Sequence, residues 1–114
     1  ALYVIPDYAA MIYGGEALMT YSSSELNKDS EKEADKVLHA AQDIANAENV
    51  ECKTARTVNI SVHQAIIKLA QEIHCDLICM ASHGRKGIAG ILLGGETQRV
   101  LVNSSIPVLV HRAA

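Results

Sequence analysis

Apolar and polar positions alternate between two periods along the chain, and the alternation predicts a regular order of elements. Leu2 to Ile5 is a short apolar, β-prone run stopped by Pro6, which predicts a buried strand. From Asp7 to Ser24 no clean period holds. The pair Gly14-Gly15 and the run Ser22-Ser23-Ser24 predict a long loop, with a helical turn around Glu16 to Tyr21. From about Ser24 to Glu48 the period is helical. Ala34, Val37, Leu38, Ala41, Ile44 and Ala45 line one face, and Glu31, Lys32, Asp35, Lys36 and Asp43 lie largely off it. Ser30 and Glu33 have the capping-box spacing, which fits either a helix start or an interior turn of a helix begun earlier.

Val50 to Val58 alternates with a period of two and carries one polar side, as a strand near a sheet edge does. Asn59 or Ser61 then caps a second helix whose buried stripe is Val62, Ala65, Ile66, Leu69, Ala70 and Ile73. Asp76 to Ala81 is nearly all apolar, the pattern of a strand covered on both faces. A glycine-rich loop follows, then a helix from about Gly95 to Asn103, then a closing strand from Ile106 to His111 with Pro107 near its start. Strands alternating with helices argue a single α/β domain over residues 1–114 with an open parallel sheet and right-handed crossovers.

Composition narrows the function. The chain has 114 residues, 49% of them hydrophobic and 20% charged, an ordinary globular balance. Ten basic against thirteen acidic residues leave a net charge of −3, without the basic excess that nucleic-acid phosphates require. All four aromatics are tyrosines within the first 21 residues, so stacking platforms for single strands are lacking elsewhere. No apolar run approaches the ~20 residues of a membrane span, and no secretory leader pattern opens the sequence. The expectation is a cytoplasmic protein with no nucleic-acid or membrane partner. Cys52, Cys75 and Cys79 read as reduced thiols; they lack the second ligand pair of a zinc site.

The chemistry concentrates in one window. Five of the seven glycines, Gly84, Gly87, Gly90, Gly94 and Gly95, lie between the buried strand and the following helix. That is the carboxyl edge where open α/β sheets bind ligands. Glycines there let the backbone approach an anion, and a helix N-terminus favours negative charge. Arg85 and Lys86 add positive charge, so the loop reads as a phosphate site. The Walker A pattern is absent, and the glycine spacing at 84, 87 and 90 is not the dinucleotide fingerprint.

The stretch MASHGRKGIAGILLGG, followed by a helix and IPVLV, resembles the universal stress proteins, and the resemblance runs from Leu2 to about Arg112. It implies a Rossmann-like open, twisted parallel sheet. Members begin with a strand and helix ahead of the strand read here at Leu2 to Ile5. The resemblance therefore implies that the first βα unit is lacking from this sequence, and with it the aspartate that contacts adenine. Nucleotide-binding members carry Gly, two residues, Gly, nine residues, then Gly and Ser or Thr. Ala81, Gly84, Gly94 and Gly95 take those positions here. Ala81 adds a Cβ, and Gly95 removes a hydroxyl worth roughly 0.5–1.5 kcal/mol as a hydrogen bond.

By resemblance the ligand is ATP or AMP, with Mg²⁺ accompanying ATP. Ile5 packs on the base, Met80 and Ala81 face the adenosine, and His83, Gly84 and Arg85 flank ribose and phosphates. Gly94, Gly95, Glu96 and Thr97 supply helix-terminus contacts. Glu96 also sits where a carboxylate stabilises its own helix, and that charge counts against a tightly held triphosphate. A homodimer through Val108, Leu109, Val110 and His111 is implied as well. Two alternatives stay open: a nucleotide-independent dimeric stress protein that recruits partners, and a slow nucleotide hydrolase using His83 or Glu96.

Overall fold

The computed structural model describes residues 1–6, 23–82 and 93–112, with side chains from Lys28 onward in the second stretch. The predicted loop at 7–22 and most of the glycine-rich window lie outside them. Among the described residues seven elements follow one another: β1 (Leu2–Pro6), α1 (Ser23–Ala47), β2 (Ala55–Asn59), α2 (Val62–Glu72), β3 (Ile78–Ala81), α3 (Gly95–Asn103) and β4 (Val108–His111). The strands pair, among the described residues, in two-stranded parallel ladders, β1–β2 and β3–β4. The chain divides into two compact units, Ala1–Ser61 and Val62–Ala114.

In the first unit, β1 and β2 run in register from Leu2 against Ala55 to Pro6 against Asn59. Strand side chains alternate, so Tyr3, Ile5, Arg56 and Val58 share the face toward α1. Tyr3 and Ile5 are buried with Ala34 and Leu38 of α1, one helical turn apart. Each large apolar side chain so buried contributes about 1.5–3 kcal/mol. On the same face the Arg56 guanidinium reaches α1, donating from Nη1 to Glu31 Oε2 at 2.7 Å and from Nη2 to Asp35 Oδ1. Its hydrogen bonds to Asp35 and Glu31 raise its pKa above the ordinary arginine value, so the fork stays cationic.

Several boundaries differ from the sequence reading. β2 begins at Ala55 rather than Val50, with Ala55 paired to Leu2. Pro6 closes β1 from inside, paired with Asn59, since an end position tolerates a missing N–H. Ser30 and Glu33 are interior to α1, which starts at Ser23. Val37 and Ile44 are exposed, Ile44 by 69%. A 25-residue helix runs about 37 Å and a five-residue strand about 17 Å, so α1 overhangs its sheet.

In the second unit β3 and β4 pair from Ile78 against Val108 to Ala81 against His111. Ala70 of α2, Ile78 and Val100 of α3 form the core, with Ile66, Ile67, Cys75, Met80, Ile106 and Val108 packed around it. Both helices cover that single face. Cys79 and Ala81 are exposed on the other, where the sequence predicts cover on both sides. Ile73, expected in the buried stripe of α2, is 60% exposed because the helix ends at Glu72. β4 starts after Pro107, whose carbonyl accepts from Ile78 N–H at 2.9 Å.

Both α1 and α2 stop without glycine. Val50 N–H bonds to the Ala45 carbonyl and Asn49 N–H to Asn46, while Cys75 N–H bonds to Ala70 and His74 N–H to Gln71. These are Schellman closures, and they put Asn49 at φ 56° and His74 at φ 55°. No helix among the described residues is long and apolar enough to cross a membrane.

His74→Gly removes the left-handed penalty and is expected to stabilise the protein by about 0.5–1 kcal/mol in denaturant unfolding. A destabilised variant would contradict the closure. Val100 is fully buried, so Val100→Ala is expected to cost about 2 kcal/mol in the same measurement.

Candidate functional site

The site is built where β3 runs out and α3 begins. One residue past β3, Ser82 N–H still donates to the His111 carbonyl at 2.8 Å, extending the ladder. The Ser82 side chain is buried. Its carbonyl accepts from Gly94 N–H at 2.6 Å, so the residues on either side of the 83–92 segment are joined directly. A second link lies one step inward: the Thr97 hydroxyl donates to the Ala81 carbonyl at 2.9 Å. Thr97 is only 3% exposed, so this bond is shielded from competing water.

Gly94 is the N-cap of α3, extended at φ −67° and ψ 157°, and it supplies no side-chain cap. Its carbonyl accepts from Gln98 N–H at 3.1 Å, and the Gln98 side-chain amide donates to the Leu93 carbonyl at 2.9 Å. The first-turn amides of Gly95, Glu96 and Thr97 have no acceptor inside the helix, as at any helix start. They concentrate positive partial charge at the end of the glycine-rich window. Among the described residues a Cβ added at Gly95 would meet Arg99 Nη1 at 3.6 Å, an ordinary van der Waals contact.

The Glu96 carboxylate bonds to two partners. Its Oε2 accepts from the backbone N–H of His63, in the first turn of α2, at 3.0 Å, and lies 3.5 Å from His63 Nδ1. Its Oε1 accepts from Arg99 Nη1 at 2.8 Å. A cation one turn on and a helix start opposite therefore engage the acidic charge that the sequence sets against a triphosphate.

Of the residues singled out from sequence, Ala81, Gly94, Gly95, Glu96 and Thr97 come together at this junction. Met80 is half-buried and packs on the core of α2, α3 and β3. Ile5 belongs to the first unit, 3% exposed and enclosed by Tyr3, Ala34 and Leu38. His83, Gly84 and Arg85 lie outside the described residues. Sequence reasoning missed Ser82 and Gln98, whose bonds fix the loop base. It also missed Arg99, though the Glu96-to-Arg99 spacing of three on a helix is a readable signal. Among the described residues no group of three or more His, Cys, Asp or Glu is placed to hold a metal ion.

The order of elements and the parallel ladders define an α/β protein with crossover-connected parallel strands. The sequence profile of the universal stress protein family matches residues 1–112, and the chain belongs to that family. It is 44% identical over 48 residues to universal stress protein MJ0577 of Methanocaldococcus jannaschii, which is 42% of this chain and 30% of that protein. It is 33% identical over 87 residues to universal stress protein MJ0531 of the same organism, covering 76% of this chain and 49% of the relative. These matches span less than half the length of either relative. The solved structure of MJ0577 superposes with a TM-score of 0.79 at 27% identity, over 99% of this chain and 74% of that one. That of hypothetical protein PH0823 gives 0.66 at 27%, over 99% and 73%. The fold is the Rossmann-like α/β fold of this family.

Thr97→Val is expected to lower stability by about 1 kcal/mol, the net worth of one shielded hydrogen bond, and Thr97→Ser to retain most of it. Chemical denaturation of the two variants checks the assignment. Equal losses would show that the hydroxyl bond contributes nothing.

Proposed function

We propose that this protein binds an adenine nucleotide, ATP or AMP, through the loop from Gly84 to Gly95, as a cytoplasmic stress-response protein. The observation that carries the reading is the closed loop base. Two hydrogen bonds tie Ala81 and Ser82 to Thr97 and Gly94, and so hold the α3 amide donors beside a glycine-rich segment. A phosphate chain fits such donors, since it needs a preorganised backbone cradle more than side-chain charge. Arg85 and Lys86 neutralise part of its charge, and Mg²⁺ accompanies ATP. Ala81 and Gly95 depart from the family pattern and weaken the cradle without closing it.

The same reading makes the protein a homodimer through β4. Among the described residues this strand pairs only with β3, and Leu109 on it is 57% exposed. Such an apolar strand is stabilised by pairing with a second copy.

Mass spectrometry of the small molecules released on denaturing the purified full-length protein is expected to find ATP, ADP or AMP near one per chain. Gly84→Val is expected to purify empty. An empty wild-type protein that also fails to bind added Mg²⁺-ATP in calorimetry would replace the reading with that of a partner-recruiting dimer. Gly95→Ser restores a hydroxyl where an added Cβ makes an ordinary contact with Arg99 Nη1, and it is expected to tighten nucleotide binding about 2- to 10-fold.

A further inference from the structure

We infer that Glu96 is a positioning residue, whose carboxylate clamps the N-terminus of α3 to the first turn of α2 and thereby sets the direction of the phosphate-facing amides. The inference rests on the nucleotide reading for its effect on affinity, and on geometry alone for the clamp.

One carboxylate serves two helix starts. By sequence it is the second residue of α3, and by contact it takes the His63 amide, one of the donors that α2 cannot satisfy internally. A carboxylate accepting a backbone N–H at a helix start is a charge-assisted bond, and the α2 dipole favours its negative charge. Arg99 holds the other oxygen at 2.8 Å and limits the ways the side chain can turn. Thr97, the next residue, is fixed to the end of β3. The first turn of α3 is thus attached on one side to the strand and on the other to α2. The Gly95, Glu96 and Thr97 amides are carried by that doubly held turn.

Two accounts of Glu96 predict opposite signs. If its charge acts on the phosphates, removing the charge tightens binding, whether by Gln or by Ala. If it positions the turn, Glu96→Gln keeps an oxygen for His63 N–H and stays near wild-type affinity. Glu96→Ala loses the clamp and weakens binding about 3- to 10-fold, the range for losing one capping bond.

The test pairs calorimetric titration of the full-length protein and both variants with Mg²⁺-ATP against amide hydrogen exchange without nucleotide. The clamp predicts that the His63 amide exchanges about tenfold faster in Glu96→Ala, while Glu96→Gln keeps most of the protection. Tighter binding in both variants would overturn the positioning role. Unchanged exchange at His63 in Glu96→Ala would overturn the clamp itself. If the wild-type protein binds no nucleotide, the nucleotide reading fails while the exchange arm still decides the clamp.

Discussion

The hydrogen bond from Gly94 N–H to the Ser82 carbonyl is the constraint on which the second unit turns. It joins the chain leaving β3 to the chain entering α3. The Thr97 hydroxyl on Ala81 repeats the link a step deeper. Together they fix where α3 starts, and that start brings Val100 into the core against Ala70 and Ile78. Each bond is worth only about 1 kcal/mol net. Their weight is geometric, since they convert a helix N-terminus into a fixed donor array at the carboxyl edge of a parallel ladder.

Charge is arranged around that array with little waste. Glu96 would oppose an anion if it faced the α3 amides, yet it is engaged by His63 N–H and by Arg99. In the first unit the acidic Glu31 and Asp35 of α1 are likewise answered by Arg56 of β2. Exposed pairs of this kind contribute little to stability. Their effect here is to hold side chains in one direction and to tie a helix to its neighbour. Membership of the universal stress protein family gives the loop base its context.

Much of this was legible in the sequence. The three helices and four strands of the described residues follow from hydrophobic period, because a one-sided helix and a short apolar strand leave different spacings. The glycine window pointed to the β3–α3 junction for the same reason. What failed depends on neighbours. The pairing register of β2 with β1 joins residues more than 50 positions apart, which no local period encodes. Ile44 keeps helical spacing past Leu38, the last residue of α1 in the core cluster, while Val37 is exposed at the side of that cluster. Cys79 reads as buried from its apolar run, although it is exposed on the face of β3 opposite Ile78. Asn49 and His74 close helices in a conformation that glycine would have announced. The partner of Glu96 lies 33 residues away on another helix, so the sequence shows an acid in a first turn and nothing of what it holds.

The central claim is that the amides at the start of α3 receive the phosphates of a nucleotide. Backbone amide shifts followed by NMR during a titration with Mg²⁺-ATP test it most directly. Saturable shifts at Gly95, Glu96 and Thr97, with the amides of α1 unmoved, are the predicted result. Saturable binding that leaves those three amides unshifted would contradict the account.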